Sequence, residues 1–220
     1  MKDVEEYYIN ERKDLCSLIP EGSLRILEIG CGSGNFRNNI HSDCEYWGVE
    51  PVSEVAQEAS TKLDHVLCGV YEEVAGDIPD NYFDLVVCND VIEHMAYPEI
   101  FLRSVRKKMK SDVSYIIGSI PNVRYIENLY NLLIKRDWRY MDWGVLDNTH
   151  LRFFTRKSMI RLFESEGFKV ELSYGTGKVP FSFITMKSFL KSIGARVFCL
   201  VFGLDTAYSQ FAFRAKQKIR

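Results

Sequence analysis

Short apolar runs alternate along the chain with longer stretches in which apolar residues recur at helical spacing. Five runs before residue 122 predict β-strands, and four of them are nearly continuous rather than alternating with polar residues. Continuous runs are typical of parallel strands that are covered on both faces of a sheet. The five runs are LRILEIG, EYWGVE, HVLCGV, FDLVVCND and VSYIIGSIP.

Helical periodicity predicts a helix over residues 53–63, after the second strand, and another over residues 96–109, after the fourth. A third helix is predicted over residues 155–167, with Thr155 as its N-cap and Gly167 as its end. FKVELSYG then predicts a sixth strand, and SQFAFRAK a seventh. The alternation therefore predicts an α/β fold: a doubly wound, mostly parallel seven-stranded sheet with helices on both faces.

Three segments do not follow this alternation. An N-terminal helix is predicted over about residues 1–20 and a small helical cap insertion over about residues 121–150. Residues 181–204 predict a C-terminal helical segment in which lysine and arginine alternate with apolar residues. This basic, amphipathic pattern leaves three roles open: a cover over the active site, a homodimer face, or peripheral contact with a membrane surface.

The composition fits a single domain over residues 1–220, because 46% of the 220 residues are hydrophobic. The formal net charge of −2 gives no electrostatic case for a nucleic-acid partner. The charged N-terminal stretch contains no apolar signal core, so we expect a cytoplasmic protein. Six cysteines are spaced irregularly without a CxxC pair, so we expect reduced thiols and no metal site.

A glycine-rich turn, EIGCGSGNF, follows the first predicted strand. Its spacing, Gly30-x-Gly32-x-Gly34, differs from GxGxxG, and no Walker lysine follows, so phosphate binding has little support. Glu28 stands two residues before the first glycine, where a carboxylate would repel a pyrophosphate and suit a cationic ligand. Glu50 ends the second strand about 20 residues further on, the distance at which an acid binds both hydroxyls of a ribose.

LEIGCGSGNF, YWGVEP and FDLVVCNDVIEHM, in this order, resemble the class I S-adenosylmethionine-dependent methyltransferases. The resemblance covers about residues 24–167 and implies a Rossmann-like fold with S-adenosylmethionine as cofactor and S-adenosylhomocysteine as product. It implies that the cofactor lies at the carboxyl ends of the strands. The residues implied to line the cofactor site are Glu28, Gly30, Cys31, Gly32, Glu50, Pro51, Gly69, Val70, Tyr71, Asn89, Asp90 and Val91.

One position departs from the family pattern. Val70 stands where many members have an aspartate that binds the adenine amine. Backbone amides around residues 69–71 are one alternative for holding adenine, and Glu72 is another.

Methyl transfer to a hydroxyl requires a base, and the chain has four histidines. We expect His150 to be the general base or a substrate contact, with Asp147 or Asp90 orienting it or acting in its place. His94, in DVIEHM, is a weaker candidate. The phrase DNTHLRFFT, which contains His150, resembles a subgroup found among polysaccharide and lipid-linked sugar biosynthesis proteins.

The predicted acceptor site uses residues beyond the fifth strand. Arginine can clamp a carboxylate or phosphate, and aromatic rings can stack on a sugar or an aromatic acceptor. The candidate acceptor-binding residues are Asn122, Arg124, Tyr125, Trp143 and His150.

The resemblance implies a methyltransferase that acts on a small-molecule or glycan acceptor. O-methylation of a sugar or a lipid-linked saccharide is the leading expectation. C- or N-methylation of a quinone or small amine is the alternative within the enzyme class. A non-catalytic partner subunit that keeps the fold is the alternative outside it.

Overall fold

Seven strands form one sheet in the part of the chain that the computed structural model describes, which is residues 11–41, 43–110, 114–178 and 186–218. The strand order is β3-β2-β1-β4-β5-β7-β6, and β7 alone runs antiparallel to its neighbours. The predicted fold class is confirmed. The strands are β1 Arg25–Ile29, β2 Glu45–Glu50, β3 His65–Cys68, β4 Leu85–Asn89, β5 Tyr115–Pro121, β6 Phe168–Lys178 and β7 Tyr208–Gln217.

Helices cover the sheet and connect its strands. The α-helices are α1 Ser53–Ala59, α2 Tyr71–Val74, α3 Pro98–Lys108, α4 Ile126–Tyr130, α5 Arg156–Ser165 and α6 Met186–Phe202. Short 3₁₀ turns are Lys13–Leu18, Asn35–Asn39, Ala75–Asp77, Ile92–His94 and Leu204–Ala207. Residues 1–10 of the predicted N-terminal helix lie outside the described residues, and the part that is described forms the first of these 3₁₀ turns.

The core lies on both faces of the central strands. Successive residues of β4 alternate between two apolar clusters: Val86 packs with α3 and α5, whereas Leu85 and Val87 pack with the first two 3₁₀ turns and α1. Strand residues point alternately to opposite faces of a sheet, so the two clusters mark its two faces. This double burial explains why the central strands have continuous apolar sequences.

The connections place a crevice between β1 and β4. The chain continues from β1 to β2 and β3 on one side, and from β4 to β5 on the other. Ligands of open α/β sheets bind at such a reversal of strand order, outside the carboxyl ends of the strands. The glycine-rich turn follows β1, and the DVIEHM segment follows β4, so both border this crevice.

Helix ends follow local hydrogen bonding. Thr155 caps α5, because its hydroxyl accepts from the backbone of Ser158 while the Ser158 hydroxyl accepts from the Thr155 backbone. The predicted helix over residues 53–63 ends early, at Ala59. There the hydroxyls of Ser60 and Thr61 donate to backbone carbonyls three residues back and stabilise a turn instead.

Within the predicted cap insertion, residues 121–150, only the first half is helical. Helix α4 continues as a π-helical turn, Asn131–Lys135, and Arg136 then takes a left-handed backbone conformation that ends it. The following loop is closed by Met141, whose backbone accepts from Asn148 and donates to Leu146 at 2.9 Å each. Gly144 provides the positive φ that this turn requires.

Candidate functional site

The glycine-rich turn lies directly against the end of β4. Gly30 and Gly32 have φ values of 70° and 52°, a conformation that favours glycine. A Cβ on Gly30 would lie 2.8 Å from Cγ2 of Val91, so a side chain there would force the two loops apart. The amides of Gly30 and Cys31 donate to the Val49 carbonyl and fix the turn on β2. The turn thus exposes backbone rather than side chains at the crevice.

The Cys31 side chain turns away into the core. A Cβ on Gly48 would lie 2.7 Å from the Cys31 sulfur and 2.6 Å from Leu63, so glycine in β2 provides the space that the thiol fills. Burial raises the pKa of the Cys31 thiol, which is therefore protonated and unreactive. Any contact of Cys31 with a cofactor would be made by its backbone.

Glu50 joins the two loops that follow β1 and β2. One carboxylate oxygen accepts from the Gly32 amide and the other from the Val52 amide, both at 3.0 Å. The side chain is buried, and this burial raises its pKa. Each oxygen keeps a further lone pair, so the carboxylate can accept from two hydroxyls of a bound ribose. Pro51 is exposed next to it.

Glu28 is a buried acid inside β1. The Tyr46 hydroxyl donates to its carboxylate at 2.8 Å. Burial raises the pKa of Glu28 to about 8; the Tyr46 hydrogen bond acts against this shift, and the charge of Glu50 adds to it. Glu28 is therefore largely protonated at neutral pH in the cofactor-free protein.

The raised pKa of Glu28 predicts a pH-dependent stability. The folded protein keeps a proton on Glu28 that the unfolded chain has released, so the free energy of unfolding falls as pH rises from about 4.5 to about 8. Glu28→Gln stays neutral and should lose this part of the dependence, which is worth up to about 1.4 kcal/mol per pH unit. Urea titrations of both proteins across this range measure the difference. Parallel curves would contradict the assignment.

The loop after β3 offers backbone and apolar surface to an adenine. Gly69 has a φ of 150°, and Val70 is 44% exposed. Val52 is exposed at the corresponding end of the neighbouring strand β2. Tyr71 instead points away from this edge, because its hydroxyl bonds to the Ser104 hydroxyl at 3.0 Å in α3. Its side chain is buried, so only the Tyr71 backbone is available to a cofactor.

Asn89 has a buried amide group without a partner at the end of β4. Both its oxygen and its nitrogen are buried and form no hydrogen bond. Buried polar groups normally have partners, so an unsatisfied amide at the crevice indicates a ligand that supplies them. The resemblance to the methyltransferases places Asn89 among the residues that line the cofactor site.

Asp90 is already engaged by three side chains. Its carboxylate accepts from Arg12, from the Ser119 hydroxyl and from the Gln210 amide, the latter two at 2.9 Å. Its φ of 55° is unusual for a residue other than glycine and directs the side chain toward β5 and β7. This arrangement favours a structural role for Asp90 in ordering the crevice.

Arg12 is a site residue that the sequence did not reveal. Its guanidinium also donates to the Ser119 hydroxyl at 3.0 Å and to the Gln210 side chain at 3.1 Å. Arg12 thereby fastens the segment before the first 3₁₀ turn across the carboxyl ends of β4 and β5. Only the fold brings Arg12 close to Asp90, which is 78 positions away in the sequence.

The two histidine-containing segments meet beyond β4. The amides of Leu151 and Arg152 both donate to the Glu93 carbonyl at 2.9 Å. The rings of His94 and His150 are in edge-to-face contact, with centroids 4.8 Å apart. DVIEHM and DNTHLRFFT therefore form one structural unit, although 55 residues separate the two histidines.

Backbone carbonyls fix both imidazole rings. Nδ1 of His150 lies 3.1 Å from the Val145 carbonyl, and Nδ1 of His94 lies 3.3 Å from the Thr149 carbonyl. A carbonyl only accepts, so each Nδ1 carries the proton and each Nε2 carries the lone pair. Burial lowers the pKa of His94, and the neighbouring His150 lowers it further. His94 is thus a neutral imidazole able to accept a proton.

Asp147, the predicted orienting acid, braces the loop rather than the ring. Its carboxylate accepts from the backbone and the hydroxyl of Thr149, and its carbonyl accepts from the His150 amide. The acid that faces the His150 ring is Glu93, with 4.0 Å between Nε2 and the carboxylate. Both Glu93 oxygens are buried without a hydrogen bond, and burial raises the pKa of Glu93 well above its ordinary value.

In the described part of the chain, Glu93, His94 and His150 form a group of side chains that could hold a metal ion. One potential ligand atom from each lies within 4.8 Å of the others. The irregular cysteine spacing predicted no metal site, but cysteine spacing does not bear on carboxylate and imidazole ligands. The sequence signal for this group is an acid directly before a histidine, Glu93-His94, in the turn after a strand.

The predicted acceptor residues differ in their placement. Asn122 is fully buried, and its amide donates to the carbonyls of Asp205 and Tyr208 at 2.9 Å, which favours a structural role. Arg124 pairs with Asp205 at 2.6 Å and bonds to the end of α6. Tyr125 is half-buried, with its pKa raised by burial. Trp143, 67% exposed on the cap loop, is open to contact with other molecules.

Residues 2–173 match the model of a family described as a methyltransferase domain. A mouse protein named mitochondrial ubiquinone biosynthesis O-methyltransferase is 24% identical over 74% of this chain and 46% of its own length. The corresponding protein of Aeromonas salmonicida is 27% identical over 72% of this chain and 68% of its own length. The chain spans about half the length of most of the curated relatives it matches, including the mouse protein.

Solved structures share the fold. A SAM-dependent methyltransferase from Archaeoglobus fulgidus has a TM-score of 0.64 at 21% identity, covering 97% of this chain and 94% of that one. One from Aquifex aeolicus has a TM-score of 0.60 at 15% identity, covering 98% and 94%. The sheet and its helices therefore follow an architecture known from experiment.

Proposed function

Because the chain belongs to the methyltransferase-domain family, and this membership implies S-adenosylmethionine as cofactor, we propose that it methylates a hydroxyl of a small-molecule acceptor. The observation that carries the proposal is the contact between the neutral His94 and the buried His150 beyond the end of β4. A hydroxyl loses a proton when it is methylated, so its transfer reaction needs a base at this place.

The residues at the crevice fit the proposed cofactor. The glycine turn presents backbone, Glu50 keeps two lone pairs for ribose hydroxyls, and the Asn89 amide lacks partners. When bound, S-adenosylmethionine supplies a methyl group already activated by its positive sulfur. The chain has to bind the cofactor, align the acceptor oxygen in line with the methyl group, and remove one proton.

The histidine pair is the proposed proton acceptor. His94 is half-buried and its Nε2 carries the lone pair, whereas Asp90 is engaged by Arg12, Ser119 and Gln210. We propose that one of the two imidazoles takes the hydroxyl proton and that the other keeps the pair oriented. The sequence favoured His150 over His94, whereas the contact between the two rings supports a proposal in which they share the role.

The proposed acceptor is a phenolic or quinol-type hydroxyl. The curated relatives are named ubiquinone biosynthesis O-methyltransferases, which supports this class. A phenolic hydroxyl ionises near pH 10, well below an ordinary alcohol, and so suits a histidine base. The phrase DNTHLRFFT suggested a sugar or lipid-linked saccharide, which is the second acceptor class compared in the experiment below.

Transfer of a labelled methyl group to defined acceptors tests the proposal. Polyprenylated catechols, matched O-methylated catechols that lack the free hydroxyl, and lipid-linked saccharides are each incubated with the protein and labelled S-adenosylmethionine. We expect label in the catechols and none in the blocked analogues, with an O-methyl product by mass spectrometry. Label in the blocked analogues would indicate carbon methylation. Label in the saccharides alone would overturn the phenolic class.

A further inference from the structure

The second half of α6 presents an apolar face to the outside. Val197, Leu200 and Val201 are 54%, 75% and 70% exposed, and Leu204 just beyond the helix is 68% exposed. Their spacing places them along one face of the helix. Cys199, between them in the sequence, is buried and only 3% exposed. A surface helix of a soluble protein normally turns its polar side outward. Here the outward side is aliphatic.

A neighbouring element presents similar side chains. The π-helical turn after α4 exposes Leu132, Leu133 and Ile134, by 43%, 50% and 63%. Helix α4 contacts α6, and Arg124, just before α4, bonds to the last residue of α6. We refer to these three residues, together with Val197, Leu200, Val201 and Leu204, as the apolar surface. A large exposed apolar area of this kind marks an interaction site.

Basic and aromatic residues accompany the apolar surface. Arg196 is exposed on α6 next to Val197, and the sequence of α6 contains no acidic residue. The π-helical turn and the loop after it expose Lys135, Arg136 and Arg139, together with two acids, Asp137 and Asp142. The same loop exposes Trp138, Tyr140 and Trp143. These cations lie in a chain whose net charge is −2, so the positive charge is local.

We propose that the apolar surface docks the protein on an anionic lipid bilayer. Aliphatic side chains accompanied by lysine and arginine, with tryptophan and tyrosine exposed in the loop that follows, match an apolar membrane boundary beneath negative headgroups. None of the helices in the described parts of the chain is long and apolar enough to cross a membrane. The docking is therefore peripheral, with α6 lying in the interface.

The proposed docking would bring the acceptor side of the crevice to the membrane. Asn122, at the end of β5, donates to the Asp205 carbonyl, and Arg124 pairs with the Asp205 carboxylate. These bonds fasten the end of α6 to the edge of the sheet that carries the catalytic candidates. A membrane-dissolved acceptor could then enter without crossing water. This last step alone rests on the proposed function.

Vesicle co-flotation of the full chain tests the docking. We expect binding to phosphatidylcholine vesicles that contain phosphatidylglycerol, weaker binding to phosphatidylcholine alone, and weakening by salt. The double variant Leu200→Glu/Val201→Glu should lower vesicle affinity at least tenfold. Lys135→Gln and Arg139→Gln should each lower affinity for the anionic vesicles by about fivefold. The matched control is Leu24→Glu, because Leu24 is 55% exposed at the opposite, amino-terminal edge of β1.

Three outcomes would overturn the docking: no binding to either vesicle, equal loss of binding in the Leu24→Glu control, or a dimer in solution that Leu200→Glu/Val201→Glu dissociates. The dimer would assign the apolar surface to a second copy of the chain. Circular dichroism and cofactor titration of each variant show whether it is folded. Methyl transfer to a water-soluble acceptor is measured separately. Failure of the proposed function therefore does not affect the vesicle result, and failure to bind vesicles does not affect the activity result.

Discussion

Replacing His150 with alanine is expected to lower kcat for hydroxyl methylation by about 10² to 10⁴-fold, the usual contribution of a general base. The affinity for S-adenosylmethionine should change by less than about threefold, or about 0.6 kcal/mol. The reason is placement: His150 contacts His94 and faces Glu93, and no contact links it to the glycine turn or to Glu50. Steady-state kinetics and calorimetric titration with the cofactor measure the two quantities.

Three further variants are measured together with His150→Ala. His41→Ala is the matched control, since His41 is an exposed histidine in a loop remote from the pair, and it should leave kcat unchanged. His94→Ala should lower kcat over the same range. The double variant should lose little more than either single one, because residues that act as a unit are not additive. Retention of full turnover by His150→Ala, with the fold intact by circular dichroism, would remove His150 from the mechanism.

The sequence predicted what depends on short stretches of chain. Continuous apolar runs located the strands, because the residues of a strand are consecutive. The glycine spacing located the turn after β1, because the positive φ values of Gly30 and Gly32 are local to that turn. Thr155 and Gly167 were identified as the ends of a helix because capping is local, and the observed cap and the positive φ of Gly167 agree.

Contacts between distant segments could not be predicted in this way. Arg12 reaches Asp90, and Glu93 meets His150, through the winding of the sheet rather than through sequence spacing. The same is true of Asn122, whose buried amide braces β7 although its position suggested an acceptor contact. The helix of the cap ends at Arg136, whose left-handed backbone conformation stops it, and the turn at Gly144 shapes the loop that follows.

Replacing Glu50 with alanine should abolish tight cofactor binding. A carboxylate that accepts from two ribose hydroxyls contributes about 1.5 to 3 kcal/mol per bond, so the loss should be about 100-fold or more in Kd. The substitution also removes the two hydrogen bonds that hold the Gly32 and Val52 amides, and so loosens the turn that the cofactor contacts. Titration calorimetry with S-adenosylmethionine and S-adenosylhomocysteine should show the same loss for both, because they share the ribose.

Glu50→Gln separates the two contributions. A glutamine amide keeps one acceptor oxygen but turns an NH₂ group toward the second backbone amide, so an intermediate affinity is expected. Glu54→Ala is the matched control: it removes an exposed acid four residues away, at the start of α1, and should leave Kd unchanged. Cofactor affinity within threefold of wild type for a folded Glu50→Ala protein would contradict the ribose assignment. Such a result would mean that the cofactor does not bind next to β2, since Glu50 is the acid that the structure places between the first two loops of the crevice.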